Sequence, residues 1–155
     1  MENRDVKRYA AVLGAAATLA AGFEGLRQYA YYDPRPNDAI LTVCYGSTTD
    51  VQKGKKYTLE ECKARLEDDM AEAVRMVERC HPKLPDNVLI AFADAVYNIG
   101  PKVACNSTAS KYLTQGNYEA ACNELPRWNK SNGVVLPGLT RRREAERQIC
   151  LDYQQ

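Results

Sequence analysis

A single histidine, His81, stands in the 155 residues. As the sole histidine, and far along the chain from the other candidate residues, it makes Ser-His-Asp and Cys-His catalysis poor readings. His81 reads instead as a helix-end residue. The six cysteines show no CxxC spacing and no histidine cluster, so no metal site is expected. Neither sign of charge dominates: 21 Lys and Arg face 20 Asp and Glu, for a net +1. That balance lacks the electrostatic footprint of a nucleic-acid binder, and Arg141-Arg142-Arg143 is at most a local patch. A strongly apolar run is also missing. The uncharged stretch Tyr9 to Phe23 is mostly Ala and Gly, short of the roughly 20 apolar residues that a spanning helix needs. No repeat, low-complexity tract or linker occurs.

What remains is an ordinary globular composition, 45% hydrophobic and 26% charged, on a chain long enough to bury one core. The chain divides into an N-terminal apolar segment, residues 1–23, and one domain, residues 24–155. Arg4, Lys7 and Arg8 precede the apolar stretch, as in a secretory segment. The even cysteine count predicts three disulfides and an oxidising compartment such as the periplasm, with free thiols as the alternative. The count alone leaves the connectivity open.

Tyr31 to Tyr45 is rich in β-formers and broken by Pro34-Arg35-Pro36-Asn37-Asp38, which predicts a hairpin with a turn. Thr58-Leu59-Glu60-Glu61 is a capping box opening a helix that His81-Pro82 ends near Cys80. Leu59, Cys62, Leu66, Met70, Ala73 and Val77 form its buried stripe, and Met70 and Met76 read as packing residues. Asp86 is placed as the cap of a central helix over 87–97. Further helices are expected over 107–115, 118–128 and 139–153, with Gly116 as a stop. The sum is an α+β protein, mostly helical, with a small β-hairpin lobe and a cleft beside the helical lobe.

Chemistry concentrates in one stretch. Phe23-Glu24-Gly25-Leu26-Arg27 puts a carboxylate at the end of an apolar helix, and Asp33 follows nine residues later. Two carboxylates on different elements can sit in environments that divide acid and base roles between them, and glycosidic cleavage uses such a pair. Glu24, beside Phe23 and Leu26, is the candidate general acid. Asp33 is the ionised partner.

Glu24-Gly25-Leu26-Arg27, Ala30-Tyr31-Tyr32-Asp33-Pro34 and Thr42-Val43-Cys44-Tyr45-Gly46, in that order, resemble the opening of the phage-type lysozymes of glycoside hydrolase family 24. Ala95-Val96-Tyr97-Asn98-Ile99-Gly100 resembles the family's cleft-lining element. Gly138-Leu139-Thr140-Arg141-Arg142-Arg143-Glu144-Ala145-Glu146 resembles its "GLxxRRxxE" helix, and Trp128 falls between the two. The likeness covers roughly residues 20 to 152.

The resemblance implies a lysozyme-like fold and hydrolysis of the β-1,4 bond between N-acetylmuramic acid and N-acetylglucosamine in peptidoglycan, for host lysis, by a monomer without cofactor or metal. It implies that Thr42 holds the attacking water and that Tyr97, Asn98, Arg142 and Arg143 bind substrate, with Arg142 or Arg143 pairing Glu24. It also implies the pairings Cys44–Cys62, Cys80–Cys105 and Cys122–Cys150, worth about 3 kcal/mol each. Some members carry a signal-anchor-release segment, which residues 9–23 fit. Transient inner-membrane tethering would then precede action in the host periplasm. A buried first helix with holin-dependent export is the other reading. Two departures stand out. Thr42 lies nine residues after Asp33 where the family has six, and Ser47 replaces the family's histidine. A lytic transglycosylase and a catalytically impaired wall-binding or membrane-tethered protein are the alternative functions.

Overall fold

The computed structural model of the chain describes residues 3–33 and 40–154. The predicted turn at 34–38, and the three-residue insertion assigned to it, lie outside the described residues.

The first helix, α1 (Asn3–Phe23), draws on the high helix propensity of its alanines. Val12, Ala16, Ala17 and Ala20 turn inward at three- and four-residue steps. No helix among the described residues is long and apolar enough to cross a membrane. Strands β1 (Arg27–Asp33) and β2 (Ile40–Cys44) pair antiparallel, with Tyr31 opposite Thr42 and Asp33 opposite Ile40. The hairpin therefore starts four residues earlier than the sequence implies.

Helix α2 (Leu59–Cys80) opens on a complete capping box: Thr58 accepts from the Glu61 amide, and the Glu61 side chain accepts from the Thr58 amide. Its stripe is buried from Cys62 to Val77, but Leu59, in the first turn, is 58% exposed. Helix α3 (Asp86–Ile99) is capped by Pro85 rather than Asp86, whose carboxylate instead takes a hydrogen bond from Arg8 on α1. Nine consecutive residues of α3, Val88 to Val96, are buried. A helix covered on every side is the centre of a bundle, and α1, α2 and the last helix all pack on it.

Short helices α4 (Lys102–Cys105), α5 (Thr108–Thr114) and α6 (Tyr118–Glu124) close one end. Ser107 and Asn117 cap the latter two, and Gly116 takes the left-handed conformation between them. Helix α6 stops four residues short of Trp128, because Pro126 tightens Leu125–Arg127 into a 3₁₀ turn. Two short strands, β3 (Lys130–Ser131) and β4 (Val134–Val135), follow around Asn132-Gly133, and α7 (Pro137–Leu151) completes the chain.

The main core runs through α1, α2, α3 and the C-terminal helices. The hairpin lobe has a small one of its own, made of Val43, Cys44, Tyr57 and Cys62. Disulfides join Cys44 to Cys62, Cys80 to Cys105 and Cys122 to Cys150. The first ties the hairpin lobe to α2. The third ties α6 to α7.

Candidate active site

Between the hairpin and the bundle lies a cleft of about 360 Å³ lined by Glu24, Asp33, Thr42, Asp69, Tyr97 and Asn98, among others. Each wall follows from the local sequence. Glu24 is the residue after α1, its amide still bonded to the Ala20 carbonyl at 2.9 Å, so the helix end aims the carboxylate. Asp33 and Thr42 come from adjoining strands, one register step apart. Tyr97 and Asn98 lie on the last turn of α3. A second hollow of about 540 Å³, bounded by Phe23, Leu136, Leu139 and Arg142, shares Glu24 and Asn98 with the first. Glu24 thus sits where the two grooves meet.

Glu24 is one-quarter exposed and accepts a hydrogen bond from Arg142 Nη1 at 2.6 Å. The same guanidinium donates twice more, from Nε and Nη2 to the Asp94 carboxylate, at 2.9 and 2.8 Å. Arg142 is 4% exposed and Asp94 fully buried. Burial acts to lower the Arg142 guanidinium, but its bonds to Asp94 and Glu24 outweigh that and raise it above the usual arginine range. For Asp94, burial pushes upward, and the bonds with Arg142 and Glu146 prevail to hold it below the usual carboxylate range.

Beyond it, the fully buried Arg143 forks onto Glu146 at 2.6 and 2.7 Å. Burial first, and the neighbouring Asp94 second, push the Glu146 carboxyl upward. The three consecutive arginines therefore diverge: Arg141 faces solvent, Arg142 faces the cleft acid, and Arg143 faces the core. The three do not form one local patch, since two of the guanidiniums are paired inside the fold. Arg143 is corrected as a substrate ligand, because its guanidinium is buried and engaged by Glu146. Arg142 borders the second hollow and donates to two carboxylates.

On the other wall, Thr42 is 4% exposed and donates to the Ile40 carbonyl at 2.9 Å, leaving its oxygen able to accept. The Tyr97 hydroxyl donates to the Tyr45 carbonyl at 2.8 Å. Burial, then the Glu24 and Asp69 charges, raise that phenol far above its ordinary range, so it stays a neutral donor. Gly46 has a φ of 98°, and a Cβ there would stand 3.8 Å from the Tyr97 hydroxyl and 3.9 Å from Glu24 Oε2. The left-handed backbone favours glycine there, and the loop it belongs to runs in van der Waals contact with Tyr97 and Glu24. Asn98 Oδ1 is buried without a hydrogen-bond partner among the described residues. That oxygen is an acceptor without a protein partner at the edge of the cleft.

Two site residues escape the sequence reading. Asp69 lines the cleft from α2, and its carboxyl is raised by burial against the opposing pull of Ser47 and Arg65. Where the family has histidine, Ser47 is buried and accepts from Arg65 Nη1 at 3.0 Å. The same Arg65 also donates to the carbonyls of Thr49 and Asp50. The readable signal for Asp69 is a carboxylate one helical step from Leu66 and beside Met70, on the edge of a buried stripe. Asp94, the second, interrupts the run Phe92-Ala93-Asp94-Ala95-Val96 and lies on the face of Tyr97 and Asn98. A charge in an all-buried helix needs a partner, and the "RR" of the last helix supplies it.

A two-lobed α+β body with an acid at the junction of two grooves is the architecture of a lysozyme-type glycoside hydrolase. The phage lysozyme family profile matches residues 21–146, and the chain belongs to that family, whose members are lytic, peptidoglycan-hydrolysing enzymes. It is 36% identical to the SAR-endolysin of Bacteriophage PS119, over 92% of this chain and 90% of that one. The active form of the P1 phage endolysin Lyz superposes with a TM-score of 0.79 at 28% identity, covering 94% of this chain and 92% of that one. The secreted inactive form of the same endolysin reaches only 0.53 at 30% identity, over 66% and 74%.

Proposed function

We propose that the enzyme hydrolyses the β-1,4 bond between N-acetylmuramic acid and N-acetylglucosamine, with Glu24 as general acid and Asp33 as its anionic partner. The observation that carries this is the shared cleft lined by Glu24, Asp33 and Thr42, with Glu24 at the meeting point of two grooves. A polysaccharide chain lying through both grooves would place one glycosidic oxygen beside Glu24. Glu24 protonates that oxygen as the bond breaks, while Asp33 stabilises the oxocarbenium-like transition state and polarises a water. Thr42 accepts one hydrogen of that water. The free Oδ1 of Asn98 fits an amide N–H such as that of an N-acetyl group. With water as the attacking group, inversion at the anomeric carbon is expected.

The test is Glu24→Gln with wall-lysis and product analysis. Lysis should disappear from a protein that melts as the parent does, and persistence of lysis would sink the assignment. A lytic transglycosylase needs only the acid, so anhydro-sugar products together with near-normal activity of Asp33→Asn would select it instead.

Residues 9–23 tether the enzyme in the inner membrane before release into the host periplasm. The uncharged Ala/Gly stretch and the SAR-endolysin relatives support this. In the folded enzyme the same residues form most of α1, with Glu24 next to it. Cell fractionation before and after membrane depolarisation tests it. A chain found soluble at both stages, or in the cytoplasm throughout, would point to holin-dependent export.

A further inference from the structure

A guanidinium in contact with a carboxyl favours loss of its proton, by about one to three pH units when the pair is close and poorly solvated. Arg142 is therefore in the wrong place for an acid catalyst unless something offsets its charge. Asp94 meets that guanidinium on the side away from the cleft through two hydrogen bonds. We propose that Asp94 is a positioning residue for the reaction: it orients Arg142 so that one N–H reaches Glu24, and cancels enough of that cation for Glu24 to keep the proton it must deliver. This rests on the reading of Glu24 as general acid.

The geometry is a ladder of alternating sign running inward from the cleft: Glu24, Arg142, Asp94, then Arg143 clasped by Glu146. Arg143 is clasped by Glu146, and its charge also favours the ionised form of Asp94. Asp94 stays ionised because Arg142 and Glu146 both favour its charged form. Arg142 and Asp94 together then present Glu24 with an oriented N–H dipole rather than a bare charge. Such a donor can hold either form of the carboxyl. Other groups also bear on Glu24: Asp33 and Tyr31 from β1, Tyr45 from the following loop, Asp69 from α2 and Tyr97 from α3. Asp33 and Asp69 favour the protonated acid when ionised. Asp94 is bonded to Arg142 on the side away from Glu24, so it offsets the cation at its source.

The test is carboxyl titration by NMR on protein labelled with ¹³C-carboxyl glutamate, the Glu24 resonance being identified by its loss in Glu24→Gln. Asp94→Asn should move the Glu24 midpoint down by about one pH unit or more. The high-pH limb of wall lysis should move with it, with lysis about tenfold weaker above both midpoints and an unchanged circular dichroism spectrum. Arg142→Gln should move the midpoint up, and adding Asp94→Asn to that background should bring it back toward the parent value. An unchanged midpoint in Asp94→Asn overturns the proposal. If that single variant does not fold, a double variant that titrates like Arg142→Gln overturns it equally. The titration does not depend on lysis: activity surviving in Glu24→Gln would remove the general-acid reading while leaving this coupling measurable.

Discussion

The two walls of the cleft are built by opposite means. The helical wall sets its side chains with buried charge: Arg142 spends three N–H groups on two carboxylates, and Arg143 spends two on Glu146. The hairpin wall is a two-stranded sheet, too small to stand alone in water. It is held from outside by the Cys44–Cys62 bond, the four-residue core around Tyr57, and Arg65 grasping the 47–50 loop. One wall is rigid because leaving a charge unpaired there is costly, the other because it is fastened to α2. Damage should therefore differ in kind, as lost folding on one side and lost alignment on the other.

The largest expected effect is chemical. Glu24→Gln should lower lysis by about 10²- to 10⁴-fold, the range of a single acid–base group, with little change in Tm. Next comes the buried ladder: Arg142→Ala leaves Asp94 uncompensated and should cost about 3–5 kcal/mol of stability, read as a fall in denaturation midpoint. Replacing Cys44 and Cys62 by alanine should cost about 3 kcal/mol and reduce activity at high temperature first. Arg65→Met strips four acceptors, the Tyr57 hydroxyl among them, of a donor and should cost about 1–2 kcal/mol. Because the 47–50 loop follows Gly46, which borders Glu24, it should also raise KM more than it lowers kcat. The smallest effect is a sign. Burial raises the Asp69 carboxyl, so the folded chain holds that proton to a higher pH than the unfolded chain does. Its contribution to stability is present below the ordinary aspartate range and is lost as pH rises through the raised value. Asp69→Asn should thus help the fold at neutral pH relative to its effect in acid, seen in Tm measured at both.

How much was legible depended on whether a residue's partner lay nearby in sequence. The capping box of α2, the stop at Gly116 and the apolar run of α3 are local codes and could be read directly. Pro126 and Asn132-Gly133 were equally local signals. They shorten α6 and make the β3–β4 turn, an Asn-Gly hairpin with both residues at positive φ. Asp94 was hidden because its partner Arg142 lies 48 residues away on another helix, and Asp69 because the cleft it lines and the Ser47 it meets come from other parts of the chain. The burial of Arg143 could not be inferred from three like residues in a row, since helical geometry points neighbours about 100° apart. Glu24 was visible because its helix end and its motif coincide.

The first cysteine is residue 44, so the entire stretch that supplies Glu24, Asp33 and Thr42 lies upstream of every cross-link. Helix α1 is seated by packing and by the Arg8 contact to Asp86, with nothing covalent beyond the chain itself. Reductant and a helix-extracting amphiphile should accordingly act on separate parts of the molecule. With all six native thiols oxidised, a cysteine engineered into α1 would be the sole reactive handle, well suited to a spin label reporting whether that helix is docked.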